Sequence, residues 1–240
     1  EEGVKGCIAN GIDEKTANQI YDDMTDFAKY AFNKSHAAAY AVVAYQTAFL
    51  KFYYPKEFMA ALMTSVMDNT TKVSEYILAC RSMGIPILPP DINEGYSGFS
   101  VSGNGIRYGL SAIKSVGRAV VDVIIAEREN GGLFNSLDDF VSRMSNKEVN
   151  KRTLESFIKS GALDTLPGTR KQKLIVSGDL LESKAREKKM VMEGQLSFFD
   201  LAPEEEKNNF QITFPNVGEY DKQTLLAFEK ETIGIYVSGH

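Results

Sequence analysis

The chain has 240 residues, 43% of them hydrophobic, which suits one large or two modest domains with packed cores. Its net charge of -5 excludes indiscriminate binding of nucleic acid by the whole surface but leaves room for a local basic patch. Cys7 and Cys80 are too few and too far apart for a disulfide framework or a zinc site. Because no signal peptide and no long uncharged run occur, we expect a soluble, cytoplasmic protein with no membrane partner.

Three helices are predicted in the first third of the chain, at residues 13–29, 56–67 and 69–83. The first has an acidic cluster of Asp22, Asp23 and Asp26. Adjacent carboxylates point around a helix in different directions, so a solvated face is favoured over a metal site.

A longer helix is predicted between residues 29 and 56. It has an alanine-rich body and a polar N-terminal end. Asn33 or Ser35 can cap it, and residues 37–50 contain no charged side chain. We therefore expect about five helical turns, buried nearly all round. An ordinary capped core helix is one interpretation. The other is a start that faces phosphate, with Lys34 as the point charge and His36 as a donor.

Prolines and glycines interrupt the helical pattern from residue 85 to residue 108. Short extended pieces there predict a small β-hairpin with its turn at residues 102–105. We place a joint between two helical modules at this point and divide the chain into domains at residues 1–90, 91–190 and 191–240. The run 232–237 has a strand-like pattern just before the last residue, and we expect both ends to be cut from a longer polypeptide.

The second module begins with a predicted helix-turn-helix around Gly117. Ser115 stands where such a hairpin typically has its first glycine. A turn without a bulky side chain lets backbone N–H groups approach a DNA phosphate closely, and Lys114 and Arg118 add positive charge. Such a contact carries no base-sequence information.

A second hairpin follows, with its turn at Ser160 and Gly161. Residues 143–173 carry eight basic side chains against three acidic ones, in an otherwise acidic chain. A charge excess alone is typical of a solvated face. Together with the paired turns it favours contact with the backbone of duplex DNA. The candidate DNA-binding residues of this copy are Lys151, Arg152, Lys159, Ser160, Gly161 and Arg170.

A hydrophobic pentapeptide lies in a predicted polar linker after the hairpins. Apolar side chains in such a place are costly to leave in water, so they indicate a partner pocket or packing on their own domain. The segment consists of Gln195, Leu196, Ser197, Phe198 and Phe199.

The segment Phe-Asn-Lys-Ser-His-Ala at residues 32–37, together with Leu-Pro-Pro-Asp-Ile-Asn at 88–93, resembles the alpha subunits of bacterial DNA polymerase III, the C-family replicative polymerases. The resemblance covers essentially the whole chain but only part of the family's length. It implies a mainly α fold, in which a helical fingers domain precedes a tandem helix-hairpin-helix module with a small β-hairpin at the joint.

The resemblance also implies a function, that of a central fragment of an enzyme for DNA-templated DNA synthesis. Asn33, Lys34, Ser35 and His36 would then face the incoming deoxynucleotide, and residues 195–199 would bind the sliding clamp. The family's metal-binding palm aspartates lie upstream, so we expect Mg²⁺ only in the parent enzyme, no catalytic or metal-binding residue here, and an inactive fragment. DNA and other replisome subunits are the further expected partners. The alternative is a non-enzymatic DNA-binding or scaffold module.

Overall fold

A computed structural model of the chain describes residues 6–29, 34–144, 149–192 and 213–237. These residues are mainly helical, as the sequence predicts. The helices are α1 (Glu14–Lys29), α2 (Lys34–Tyr53), α3 (Pro55–Ser65), α4 (Thr70–Ser82), α5 (Arg118–Gly131), α6 (Leu137–Met144), α7 (Lys151–Ser160), α8 (Arg170–Met192) and α9 (Lys222–Thr232), with short 3-10 turns at Ile8–Asn10 and Leu110–Ala112. The strands are β1 (Ile87–Leu88), β2 (Ser100–Ser102) and β3 (Gly105–Arg107). None of the helices described is long and apolar enough to cross a bilayer.

The chain forms two compact units, Glu1–Tyr53 and Tyr54–His240. In the first unit, no described residue is buried, and α2 is exposed along its length. The prediction that α2 is buried nearly all round is therefore wrong for this chain. Burial of the uncharged residues 37–50 needs neighbours on every side of the helix, and the described part of this unit offers α2 only α1 and one 3-10 turn.

The second unit contains the hydrophobic core. Met59 and Met63 of α3 are buried, as are Val73, Ile77 and Cys80 of α4. The spacing of these residues by three or four positions places each set on one helix face. Burial raises the pKa of the Cys80 thiol to about 11, so this cysteine is an inert core residue.

The predicted β-hairpin is confirmed, and it lies within the second unit. Ser102 pairs with Gly105 across an antiparallel turn, and Gly103 has a left-handed φ of 56°. β1 joins β3 in parallel, with Ile87 opposite Ile106. The sequence did not predict β1, because two residues give no alternation and its pairing partner lies about twenty positions away.

The segment 213–237 packs on the hairpin module and contains no strand, so the strand-like pattern at 232–237 is misleading. Helix α9 ends at Thr232, and Gly234 follows with a φ of 79°. The N–H groups of Ile233 and Gly234 both donate to the carbonyl of Glu229, which is a helix C-terminal arrangement. The Tyr108 hydroxyl donates to the Ile233 carbonyl at 3.1 Å.

Candidate nucleic-acid interface

Ser115 forms the tight turn of the first hairpin. Its φ is 66°, and it is the one non-glycine residue with a positive φ in the part of the chain that the structure describes. It thus adopts the backbone conformation that glycine would provide at this position. Gly117 has an extended conformation, which any residue can adopt, and a Cβ built there would meet no atom within 4 Å.

The start of α5 is open. Gly117 is its N-cap and supplies no side-chain acceptor. Within the described ranges, the N–H groups of Arg118 and Ala119 also have no hydrogen-bond acceptor. Helix-start N–H groups carry partial positive charge, so an anion can approach α5 from the Gly117 side.

The first hairpin also has available cations. The side chains of Lys114 and Arg118 are exposed and form no ion pair with any described residue. The Lys114 backbone N–H, in contrast, donates to the carbonyl of Thr232 at 2.8 Å. The first hairpin therefore offers two side-chain cations and the α5 start, but not the Lys114 amide.

The two hairpins meet at a cavity of about 290 Å³. Lys114 and Ser115 line it from the first hairpin, Arg152 and Lys159 line it from α7, and Glu231 lines it from α9. The hydroxyl of Thr153, in the first turn of α7, donates to the Ser115 carbonyl at 3.4 Å and so ties the two copies together. Lys151, the first residue of α7, is exposed beside Arg152.

The turn of the second hairpin is directed into the protein. Gly161 caps α7 with a φ of 83° and is buried, while the Ser160 hydroxyl is buried and donates to the Phe157 carbonyl at 3.0 Å. A Cβ at Gly161 would lie 2.3 Å from the guanidinium of Arg170. Only glycine fits this turn, and a packed side chain excludes other ligands from it.

Arg170 has an internal role. It is 7% exposed, donates from Nη2 to Asp164 at 2.6 Å, and donates from Nη1 to the Lys159 carbonyl at 3.1 Å. Its guanidinium also lies 3.9 Å from the buried carboxylate of Glu229. These contacts do not place Arg170 on an accessible surface, and we leave it, Ser160 and Gly161 out of the interface.

Lys173, which the sequence analysis did not single out, is the other buried cation here. Its Nζ donates to the carbonyls of Leu163 and Leu166, both at 2.8 Å. Burial lowers the pKa of Lys173. The basic excess of residues 143–173 is therefore partly structural, because some of its charges hold the second turn in shape.

The start of α8 is closed by a carboxylate of the same chain. Glu219 accepts the N–H groups of Arg170 at 2.8 Å and Lys171 at 3.1 Å. Burial alone would raise the pKa of Glu219, but the backbone hydrogen bonds from Tyr220, Arg170 and Lys171 lower it. The carboxylate is thus held ionised at the position where an external anion would bind.

The predicted nucleotide-facing residues are in the first unit. Lys34, Ser35 and His36 begin α2 and are all exposed, and the His36 ring packs against Tyr40 with centroids 4.5 Å apart. Asn33 lies outside the described residues, as do all five residues of the pentapeptide 195–199.

No group of three His, Cys, Asp or Glu side chains able to hold a metal occurs among the described residues. Three or more oxygen ligands are the usual minimum for a protein-bound divalent cation. The part of the chain described therefore does not fit a catalytic Mg²⁺ site, and no metal-dependent step is derived from it.

Comparison with known protein families identifies a motif in the second unit. Residues 84–173 match the model of the helix-hairpin-helix motif, so the second unit contains a helix-hairpin-helix module. This span includes both turns and ends just inside α8.

The chain is also similar over nearly all its length to DNA polymerase III subunit alpha. It is 43% identical to the protein of Borreliella burgdorferi over 237 residues, 99% of this chain and 21% of that one. It is 44% identical to the protein of Thermus aquaticus over 240 residues, which is 100% of this chain and 19% of that one. It is 43% identical to the protein of Escherichia coli K12 over 237 residues, which is 98% of this chain and 20% of that one. The chain spans about a fifth of the length of these relatives.

The geometry of Ser115 gives a stability prediction. Replacing Ser115 with glycine should raise the free energy of unfolding by about 0.5–1 kcal/mol, because the strain of a left-handed non-glycine residue is about 1–2 kcal/mol and the entropy that glycine loses on folding is smaller, about 0.5–1 kcal/mol. Ser74→Gly, within α4, is the matched control and should lower the free energy of unfolding by about 0.5–1 kcal/mol. Urea denaturation measures both, and a destabilised Ser115→Gly variant would contradict the strained turn.

Proposed function

We propose that the chain is a segment of a replicative DNA polymerase alpha subunit and that its first hairpin binds the phosphate backbone of duplex DNA. The proposed interface consists of the open start of α5 at Gly117, the turn residue Ser115, and four exposed cations. Those cations are Lys114 and Arg118 of the first hairpin, together with Lys151 and Arg152 at the start of α7 in the second hairpin.

The open start of α5, flanked by unpaired cations, is the observation that carries the DNA-binding proposal. Phosphate contacts of this kind release counterions, so the affinity should fall steeply with salt. They also carry no base information, which suits a polymerase that must act on every sequence.

The DNA-binding proposal predicts a change in salt dependence. In the full-length polypeptide, Arg118→Gln should weaken binding to duplex DNA and make the slope of log K against log salt shallower by about 0.9. Lys72→Gln on α4 is the control, since Lys72 is already paired with Glu75 at 2.7 Å and belongs to no hairpin. Fluorescence anisotropy across a salt series measures both. Absence of binding at low salt, or equal slopes for wild type and Arg118→Gln, would refute the interface.

For the parent enzyme, we propose attack of a primer 3'-hydroxyl on the alpha-phosphate of an incoming deoxynucleotide. The resemblance implies that the aspartates that would hold Mg²⁺ lie upstream of this segment, so the segment alone should be inactive. Within it, the α2 start with Lys34 and His36 would face the nucleotide triphosphate. The rival proposal, a non-enzymatic DNA-binding or scaffold module, gives these residues no kinetic role.

Steady-state kinetics of the full-length polypeptide distinguish the two. Lys34→Gln should raise the KM for deoxynucleotide or lower kcat, because a cation near the triphosphate would be lost. Lys51→Gln, near the other end of the same helix and also exposed, should leave both constants unchanged. If Lys34→Gln also leaves both unchanged, the start of α2 has no role at the nucleotide.

The pentapeptide Gln195–Phe199 is proposed to bind the sliding clamp, and the parent chain to act with other replisome subunits in the cytoplasm. Support comes from its apolar side chains within a polar segment and from the resemblance of the chain to the polymerase family. Phe199→Ala should abolish retention of the full-length polypeptide on immobilised clamp, whereas Lys207→Ala, outside the pentapeptide, should not. Equal retention of Phe199→Ala and wild type would remove this assignment.

A further inference from the structure

The cavity between the two hairpins contains an internal ion pair. We propose that this cavity holds one phosphate group of the DNA backbone and that Glu231 competes with the phosphate for Lys159. This inference rests on the proposed DNA binding by the first hairpin and adds a specific phosphate site and an internal competitor.

The first observation is the pair itself. Lys159 Nζ lies 3.0 Å from Glu231 Oε1, with the two side chains 24% and 60% exposed. Lys159 Nζ also lies 5.3 Å from the centroid of the Phe228 ring, so α9 supplies both its anion and its aromatic neighbour. A pair exposed to this extent is weak, and a ligand with the same charge can replace the carboxylate.

The second observation is the charge around the pair. Lys114 and Arg152 line the same cavity and form no ion pair within the described ranges. Glu155 is the other carboxylate in the cavity wall. With Glu231 displaced, three cations face one carboxylate, an arrangement that favours a singly charged phosphate diester.

The third observation is the size and position of the cavity. A water molecule occupies about 30 Å³ of the liquid, so about 290 Å³ leaves room for a phosphate group with some of its water. The wall includes Ser115, the turn residue of the first hairpin. A strand contacting the open start of α5 could therefore place a neighbouring phosphate in the cavity.

This arrangement gives the second hairpin a conditional role. Its turn is packed internally, and of its two cations at the cavity, Arg152 and Lys159, Lys159 is engaged by α9. Lys159 would contribute to DNA affinity only when Glu231 releases it. Part of the binding energy of DNA is then used to open the pair, which keeps the affinity of the module lower than its charges alone would give.

A double-mutant cycle in the full-length polypeptide tests the competition. Glu231→Gln should tighten binding to duplex DNA about two- to fivefold at low salt and steepen the slope of log K against log salt by about 0.9, because Lys159 becomes an additional phosphate contact. In a Lys159→Gln background, Glu231→Gln should have no such effect. Glu155→Gln is the matched control: it removes one negative charge from the same cavity, and should raise affinity without changing the slope.

The outcomes separate the two proposals. If the Glu231→Gln gain persists in the Lys159→Gln background, or if Glu155→Gln reproduces both gain and slope, the competition is refuted while the DNA interface stands. If wild type shows no salt-dependent binding, the interface itself fails. Thermal melting of each variant must match wild type, which the exposure of Glu231 leads us to expect.

Discussion

The backbone N–H groups at a helix start need acceptors, and the two hairpins meet this requirement in different ways. At the start of α8, the Glu219 carboxylate accepts two of them. At the start of α5, neither Gly117 nor any other described residue supplies a side-chain acceptor. This difference decides which copy is available to an external anion, and the proposed interface follows from it.

The segment 213–237 produces much of this asymmetry. Through Glu219 it closes the start of α8, and through Glu231 it pairs with Lys159. Its Thr232 carbonyl also accepts the Lys114 amide, so it contacts both hairpins. We interpret it as part of the hairpin module, where it fixes the two turns relative to each other and neutralises cations of the second. The two hairpins that the sequence predicts thus differ in what surrounds their turns.

The sequence predicted what depends on local chemistry. The mainly helical fold and the small β-hairpin both follow from patterns a few residues long. It could not predict burial or pairing across long separations. Arg170 is a plausible phosphate ligand by composition, but it is buried beside Asp164. Glu219 gave no signal, because its partners lie almost fifty positions away. The sequence also did not predict that α2 is exposed, because the spacing of residues along a helix does not show whether neighbours are present to bury it.

Amide hydrogen exchange of the full-length polypeptide, with and without duplex DNA, tests the asymmetry most directly. The account predicts that DNA slows exchange in the peptide containing Arg118 and Ala119 while leaving the α8 start at Arg170 and Lys171 unchanged. Exchange at the α8 start should already be slow without DNA, because Glu219 accepts those N–H groups. Protection by DNA at Arg170 and Lys171, with none at Arg118 and Ala119, would contradict the account.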